Sequence, residues 1–326
     1  MGLAEGPVLV RVPATSANLG PGFDALGLAL GLHDEIEARV AGSGLSLEVS
    51  GESADDVAGA GERHLIVRAM RVAFDALDVE QPAGLVLRCV NRIPHGRGLG
   101  SSAAAIVGGL LAARALAGAS VAPGDVLPLA SELEGHPDNV APCLLGGLTI
   151  AWTAESKDEG MVEGAMLPPV ACARAVRLEP LPELRPVVFV APESVSTKVA
   201  RGLLPAAVPH GDAARNAGRA ALLVAALTSS PGALLDATED WLHQDYRAPA
   251  MPHSHELVTR LRAAGVPAVI SGAGPSVLAF LAGNSGRDDA VRLDSIAGET
   301  GIDWHISPLV VERQGASVTS GVPSAR

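Results

Sequence analysis

The chain has 326 residues, 48% of them apolar yet only 2% aromatic, so a sizeable core must be built from Ala, Val and Leu. With 24 Lys plus Arg against 36 Asp plus Glu, the net charge of −12 argues against a nucleic-acid surface, and an anionic ligand would need a local pocket. Cys89, Cys143 and Cys172 are odd in number and share no metal-type spacing, which speaks against a disulfide framework or zinc site and for a reducing cytoplasm.

In chain order, Met1 to Val10 lacks a basic n-region, so no secretory signal is expected. The longest apolar stretch, Ala103 to Ala113, is too short to span a bilayer. Val8 to Val12 reads as a strand, and Pro13 to Leu30 as a turn-rich connection to the next apolar run. His33 to Ser50 alternates like a half-buried antiparallel pair. Gly51 to Arg63 reads as a loop and His64 to Leu77 as a helix, with His64 as a surface or capping residue. Gly84 to Ile93 is a strand that empties through a glycine-rich loop into a helix from Ser102 to Leu116, with Ser101 as its N-cap. A second helix covers about Asp125 to Glu134, and Gly146 to Trp152 is a strand. Thr153 to Pro169 is mixed in charge, with a domain boundary near residue 165 separating 1–165 from 166–313. Strands follow at Ala173 to Leu178 and Pro186 to Val190, and Pro192 to Arg201 opens a helix. Ala213 to Thr228 and His255 to Ala264 are helical. Strands at Ala268 to Ile270 and Val277 to Leu281 flank a glycine loop. Helix Asp289 to Ile296 and strands at Ile302 to Ile306 and near Pro308 to Glu312 close the fold. Residues 314–326 read as a disordered tail.

Three stretches carry chemistry. In Pro94-His95-Gly96-Arg97-Gly98-Leu99-Gly100-Ser101-Ser102-Ala103-Ala104, alternate glycines let peptide N–H groups approach an anion, and the following helix N-terminus adds free donors and partial positive charge. It matches neither G-x-x-x-x-G-K-[ST] nor G-x-G-x-x-G. Glu134-Gly135-His136-Pro137-Asp138-Asn139 packs two carboxylates, an imidazole and an amide into six residues. Magnesium favours carboxylate, hydroxyl and phosphate oxygens, so Glu134 with Ser101 or Ser102 suits a magnesium ion accompanying a nucleotide. Asp138 can accept a proton, whereas Asn139 cannot. Asn18 and Asp24, beside flexible glycines, suit a small polar ligand, and Arg201 suits a carboxylate through its bidentate fork.

The segment Pro94 to Ala104 resembles the nucleotide-phosphate motif of the GHMP kinases; His95 and Arg97 fall where that motif is tolerant. V-P-A-T-S-A-N-L-G-P-G-F-D-x-L-G-L-A-L, E-G-H-P-D-N-V-A-P, S-T-K-x-A-R and L-H-Q-x-Y-R resemble the homoserine kinases within that family. Gly272, Gly274, Pro275 and Ser276 resemble the third family motif, which packs against the phosphate loop. The resemblance implies an α+β, two-domain GHMP kinase fold with a ribosomal-S5-like N-terminal half and a ferredoxin-like C-terminal half. It further implies ATP and Mg2+, with Glu134 a magnesium ligand and Asn139 at the substrate hydroxyl. L-homoserine would be held by Asn18, Asp24, His136, Asn139, Thr197, Arg201 and Arg247, with Asp24 and Asn18 at its ammonium and the two arginines at its carboxylate. No nucleic-acid or membrane partner is expected, and a homodimer is left open. Two alternatives stand beside this reading. A sibling such as mevalonate kinase needs no amino-acid clamp, and a non-catalytic ligand sensor on the same fold needs neither Glu134 nor the loop serines.

Overall fold

The computed structural model describes residues 3–4, 6–155, 161–162, 165–166, 171–283 and 287–321. Strand β1 (Val8–Ala17) alternates inward and outward up to Val12 and is then buried to its end. It runs through Pro13–Ala17, where a connection was expected, and the true turn lies beyond it, with Asn18, Leu19 and Asp24 at φ of 66°, 52° and 52°. Strand β2 (Leu26–Ala41) pairs antiparallel with β1, and the register slips between Pro13 and Ala14, where proline lacks a ladder donor.

The pair expected over His33 to Ser50 does not form. Strand β4 (Gly84–Asn91) inserts between β2 and β3 (Gly44–Gly51), antiparallel to the former and parallel to the latter. The parallel pairing is possible because the β3 to β4 connection is long: α1 (Ala54–Val57), a 3-10 turn at Ala58–Arg63 and α2 (Leu65–Ala76). Helix α3 (Ser101–Leu116) packs on α2 and β1 with eleven buried residues, mostly Ala, Leu and Gly. Then come α4 (Pro123–Glu134), α5 (Pro137–Leu145) and β5 (Leu148–Glu155). After the two-residue pair β6 (Met161–Val162) and β7 (Ala165–Met166), β8 (Ala171–Leu178) pairs along the whole of β5. The first sheet therefore reaches Leu178, past the boundary expected near residue 165, a stretch that lies partly outside the described residues.

The second layer contains β9 (Leu184–Val190), α6 (Thr197–Gly202), α7 (His210–Thr228), α8 (Leu234–Ala237), α9 (Gln244–Arg247) and α10 (Pro252–Ala263). It continues with β10 (Ala268–Ile270), β11 (Val277–Ala282), α11 (Arg287–Gly298) and β12 (His305–Pro308). Its antiparallel order is β10-β11-β9-β12, over a core that includes Phe189, Leu257, Leu261 and Val277. Of the strand expected near Pro308 to Glu312, Val311 makes a single bridge to Leu30 of the first sheet. Strand β13 (Ser317–Ser320) then pairs with Val8–Arg11. The expected disordered tail is thus structured through 321, because the edge of β1 offers unpaired backbone groups there; residues 322–326 lie outside the described residues.

Candidate active site

The glycine loop is fixed at both ends. Asp34 accepts the peptide N–H groups of Arg92 (2.6 Å) and Ile93 (2.9 Å) on one carboxylate oxygen, which sets the chain direction into Pro94. Gly96, Gly98 and Gly100 all have positive φ. Gly100, left-handed, is the N-cap of α3, so Ser101 is the first helical residue and not the expected cap. A Cβ on Gly98 would lie 2.2 Å from the Ser271 carbonyl oxygen, and one on Gly100 2.0 Å from Thr15 Oγ1. These glycines are therefore demanded by neighbouring loops as well as by any ligand. The third motif locks the arrangement: Ser271 Oγ donates to the Gly98 carbonyl (2.7 Å), and the Gly272 N–H donates to the Ala17 carbonyl (3.1 Å). Arg97 turns away to the Ala191 carbonyl (2.8 Å) and Pro192 carbonyl (2.5 Å), while Leu99, Ala103 and Ala104 are buried beneath the loop.

In front of this loop is a cleft of about 230 Å³ that gathers Asn18, Asp24, Glu134, His136, Asp138, Asn139, Thr197, Arg201 and Arg247 with the loop glycines and Ser101 and Ser102. Ser102 Oγ donates to Glu134 Oε1 at 2.5 Å. Burial pushes the Glu134 carboxyl above the usual range, and the Ser102 hydrogen bond pulls the other way. Proline at the start of α5 places His136 and Asp138 together, Nδ1 to Oδ1 at 2.6 Å, and this hydrogen bond raises the imidazole pKa. Thr15 Oγ1 donates to Asn139 Oδ1 at 2.8 Å and orients that amide.

At the other end of the cleft, Asn18 accepts the Asp24 N–H (2.9 Å) and donates to the Gly272 carbonyl (2.8 Å). Its amide, expected to share the ammonium, is engaged on both atoms and braces the loop. Asp24 and Arg201, expected at opposite ends of the substrate, meet in a bidentate pair at 2.8 and 3.0 Å. Arg247 is 1% exposed, its carbon centre 5.3 Å from the Phe23 ring centroid. Its Nη1 lies 3.2 Å from His243 Nδ1, its Nε has no partner, and among the described residues no carboxylate pairs with it. Burial is the main reason that its guanidinium lies below the usual arginine range, with Arg201 adding to it. His243 is itself anchored through Nε2 to the Gly20 carbonyl at 2.9 Å.

A second cleft, about 330 Å³, meets the first at Ser101 and Ser102. Its lining includes Asp34, His64, Asn91 and His95, with apolar walls from β2, α2 and α3. Asp34, His64 and Asn91 carry no motif, and nothing in their spacing announces that three separate elements converge there. His64, expected at the surface or as a cap, is 7% exposed and makes no side-chain cap bond.

Among the described residues, no group of three or more His, Cys, Asp or Glu forms a metal cage, and no helix is long and apolar enough to cross a membrane. Glu134 and Ser102, in contact through their oxygens, nevertheless fit an ion that takes few protein ligands and fills its shell with phosphate and water.

The profile of the GHMP kinases N terminal domain matches residues 64–147. The chain is 56% identical over 314 residues to the homoserine kinase of Streptomyces coelicolor, covering 95% of this chain and 94% of that protein. It is 46% identical over 291 residues to the homoserine kinase of Mycobacterium tuberculosis, covering 88% of each. The crystal structure of homoserine kinase from Cytophaga hutchinsonii matches with a TM-score of 0.79 at 26% identity, over 98% of this chain and 99% of that one. The Methanococcus jannaschii mevalonate kinase shares the fold at a TM-score of 0.64 and 12% identity, over 93% of this chain and 98% of that one.

Proposed function

The chain belongs to the homoserine kinases of the GHMP kinase family, and we propose that its two clefts divide the reaction, the apolar one taking the nucleoside of ATP and the charged one the amino acid. It is an ATP-dependent phosphotransferase acting on the side-chain hydroxyl of L-homoserine, giving O-phospho-L-homoserine on the route to threonine. The observation that carries the division is the position of Ser101 and Ser102: the N-terminus of α3 lines both clefts, so phosphates bridging them meet its free donors.

Loop N–H groups and the helix end hold the triphosphate and stabilise charge that develops on it. Glu134 with Ser102 or Ser101 would hold a magnesium ion, which when bound neutralises phosphate charge. The zwitterionic end of homoserine replaces the Asp24–Arg201 contact with one bond to each, ammonium to Asp24 and carboxylate to Arg201. Arg247, a buried cation lacking a carboxylate, takes the same carboxylate from beneath. Thr197 and His136 border the substrate, and Asn139 orients its hydroxyl. As the hydroxyl oxygen bonds to the γ-phosphorus and the bond to the β,γ-bridging oxygen breaks, the electron pair leaves with ADP and the hydroxyl proton passes to the Asp138 carboxylate, which His136 holds in place.

The test is coupled ADP release with homoserine, mevalonate, galactose and shikimate as acceptors. Homoserine should turn over and the others, lacking an ammonium for Asp24, should not. Comparable turnover of mevalonate would contradict the division of roles.

A further inference from the structure

His64 is an unusual buried histidine. His33 bonds to Glu312 and His243 to the Gly20 carbonyl, but neither ring nitrogen of His64 finds a partner among the described residues. Buried polar groups are nearly always paired, so an idle imidazole calls for an explanation. The backbone does not supply one. His64 donates its N–H to the Gly61 carbonyl and accepts from the Arg68 N–H, bonds that almost any residue could make, and its side chain does not cap α2. The ring instead lines the second cleft, whose walls include Ile36, Val57, Ile66, Ala104 and Ala105. Burial, then the neighbouring His95, lowers the imidazole pKa, so the ring is neutral and offers one donor and one acceptor. A slot walled by aliphatic side chains, with one neutral polar ring and a phosphate-binding helix end at its mouth, fits a flat heteroaromatic base with a polar edge.

We propose that His64 reads the amino-bearing edge of the adenine base, and so sets the preference for ATP over nucleotides lacking that edge. This rests on placing the nucleoside in the second cleft, and the experiment separates the two claims. Dissociation constants are measured by calorimetry for ATP, for purine riboside 5′-triphosphate, which lacks the 6-amino group, and for 1-deaza-ATP, which lacks N1. The proteins are wild type, His64→Leu, His64→Gln and Ala105→Phe, each checked for native melting. Wild type should bind at least one analogue roughly three- to tenfold more weakly than ATP, the range for one neutral hydrogen bond. His64→Leu should lose affinity for ATP by a similar factor and no longer distinguish that analogue, with homoserine binding unchanged. His64→Gln, which keeps a donor and an acceptor, should recover part of the discrimination. Ala105→Phe fills the slot and should sharply weaken all three nucleotides. If Ala105→Phe binds ATP normally, the cleft is not the nucleoside site and both claims fall. If Ala105→Phe loses ATP while His64→Leu discriminates as wild type does, the base-reading role of His64 alone is overturned.

Discussion

Glu134 sits where a carboxylate is costly, half-covered and raised in pKa by that burial, yet its oxygen is aimed at the serine that begins the phosphate-binding helix. Glu134→Gln should keep the fold and lower kcat by about a hundredfold or more, as for a lost charge-stabilising group. A variant with most of its turnover at saturating magnesium would remove Glu134 from the metal site. The His136–Asp138 pair makes a separate, pH-dependent prediction. Because the imidazole pKa is raised in the fold, its contribution to stability is present in full below the ordinary histidine value and is lost as pH rises through the raised one. The stability difference between wild type and His136→Gln should therefore shrink from about pH 5 to 8. A difference independent of pH would mean the imidazole is neutral throughout. Glu134, Asp138, Arg201 and Arg247 were legible because their residue types announce charge in a setting of motifs. That Asp24 and Arg201 grip each other was not, since 177 residues separate them and each reads as complementary to the substrate alone. Nor was the commitment of Asn18 to its own loop, which depends on the Gly272 carbonyl arriving from the far end of the chain.

At the scale of elements, the phosphate loop is one face of a three-way contact with the end of β1 and the turn between β10 and β11. Gly98→Ala tests this directly. The added methyl meets the Ser271 carbonyl oxygen at 2.2 Å at a φ of 73°, so it should weaken ATP binding and lower the melting temperature together. Loss of ATP binding with unchanged melting would make the glycine a ligand-approach residue only. Strand β13 makes a second element-level prediction. Ending the chain after Glu312 removes the strand that covers the β1 edge beside the site, and should lower the melting temperature by on the order of 2 °C or more. The sequence pattern revealed α2, α3, α7 and α10 to within a few residues, because their apolar spacing is helical. It missed β13, whose Ser317-Val318-Thr319-Ser320 looks polar in isolation and is ordered by the partner edge. It also mispaired β3, because alternation marks a strand but says nothing about which strand lies beside it.

For the whole molecule, the two sheets have separate cores, and the charged cleft draws from both layers: Asp24, Glu134 and Asp138 from the first, Arg201 and Arg247 from the second. Substrate carboxylate recognition comes from the second layer and phosphate recognition from the first, so the two should be separable by mutation. Arg247→Leu replaces a buried cation and should cost about 2–5 kcal/mol of homoserine recognition, the range for truncating one side of a buried charge pair. Turnover should fall too, because a misplaced hydroxyl loses its alignment with the γ-phosphate, while ATP binding should be almost unchanged. The most direct measurement is kcat/KM for homoserine and for its decarboxylated analogue 3-aminopropan-1-ol, in wild type and in Arg247→Leu. Wild type should strongly prefer homoserine and the variant should lose most of that preference; an undiminished preference in Arg247→Leu would contradict the account.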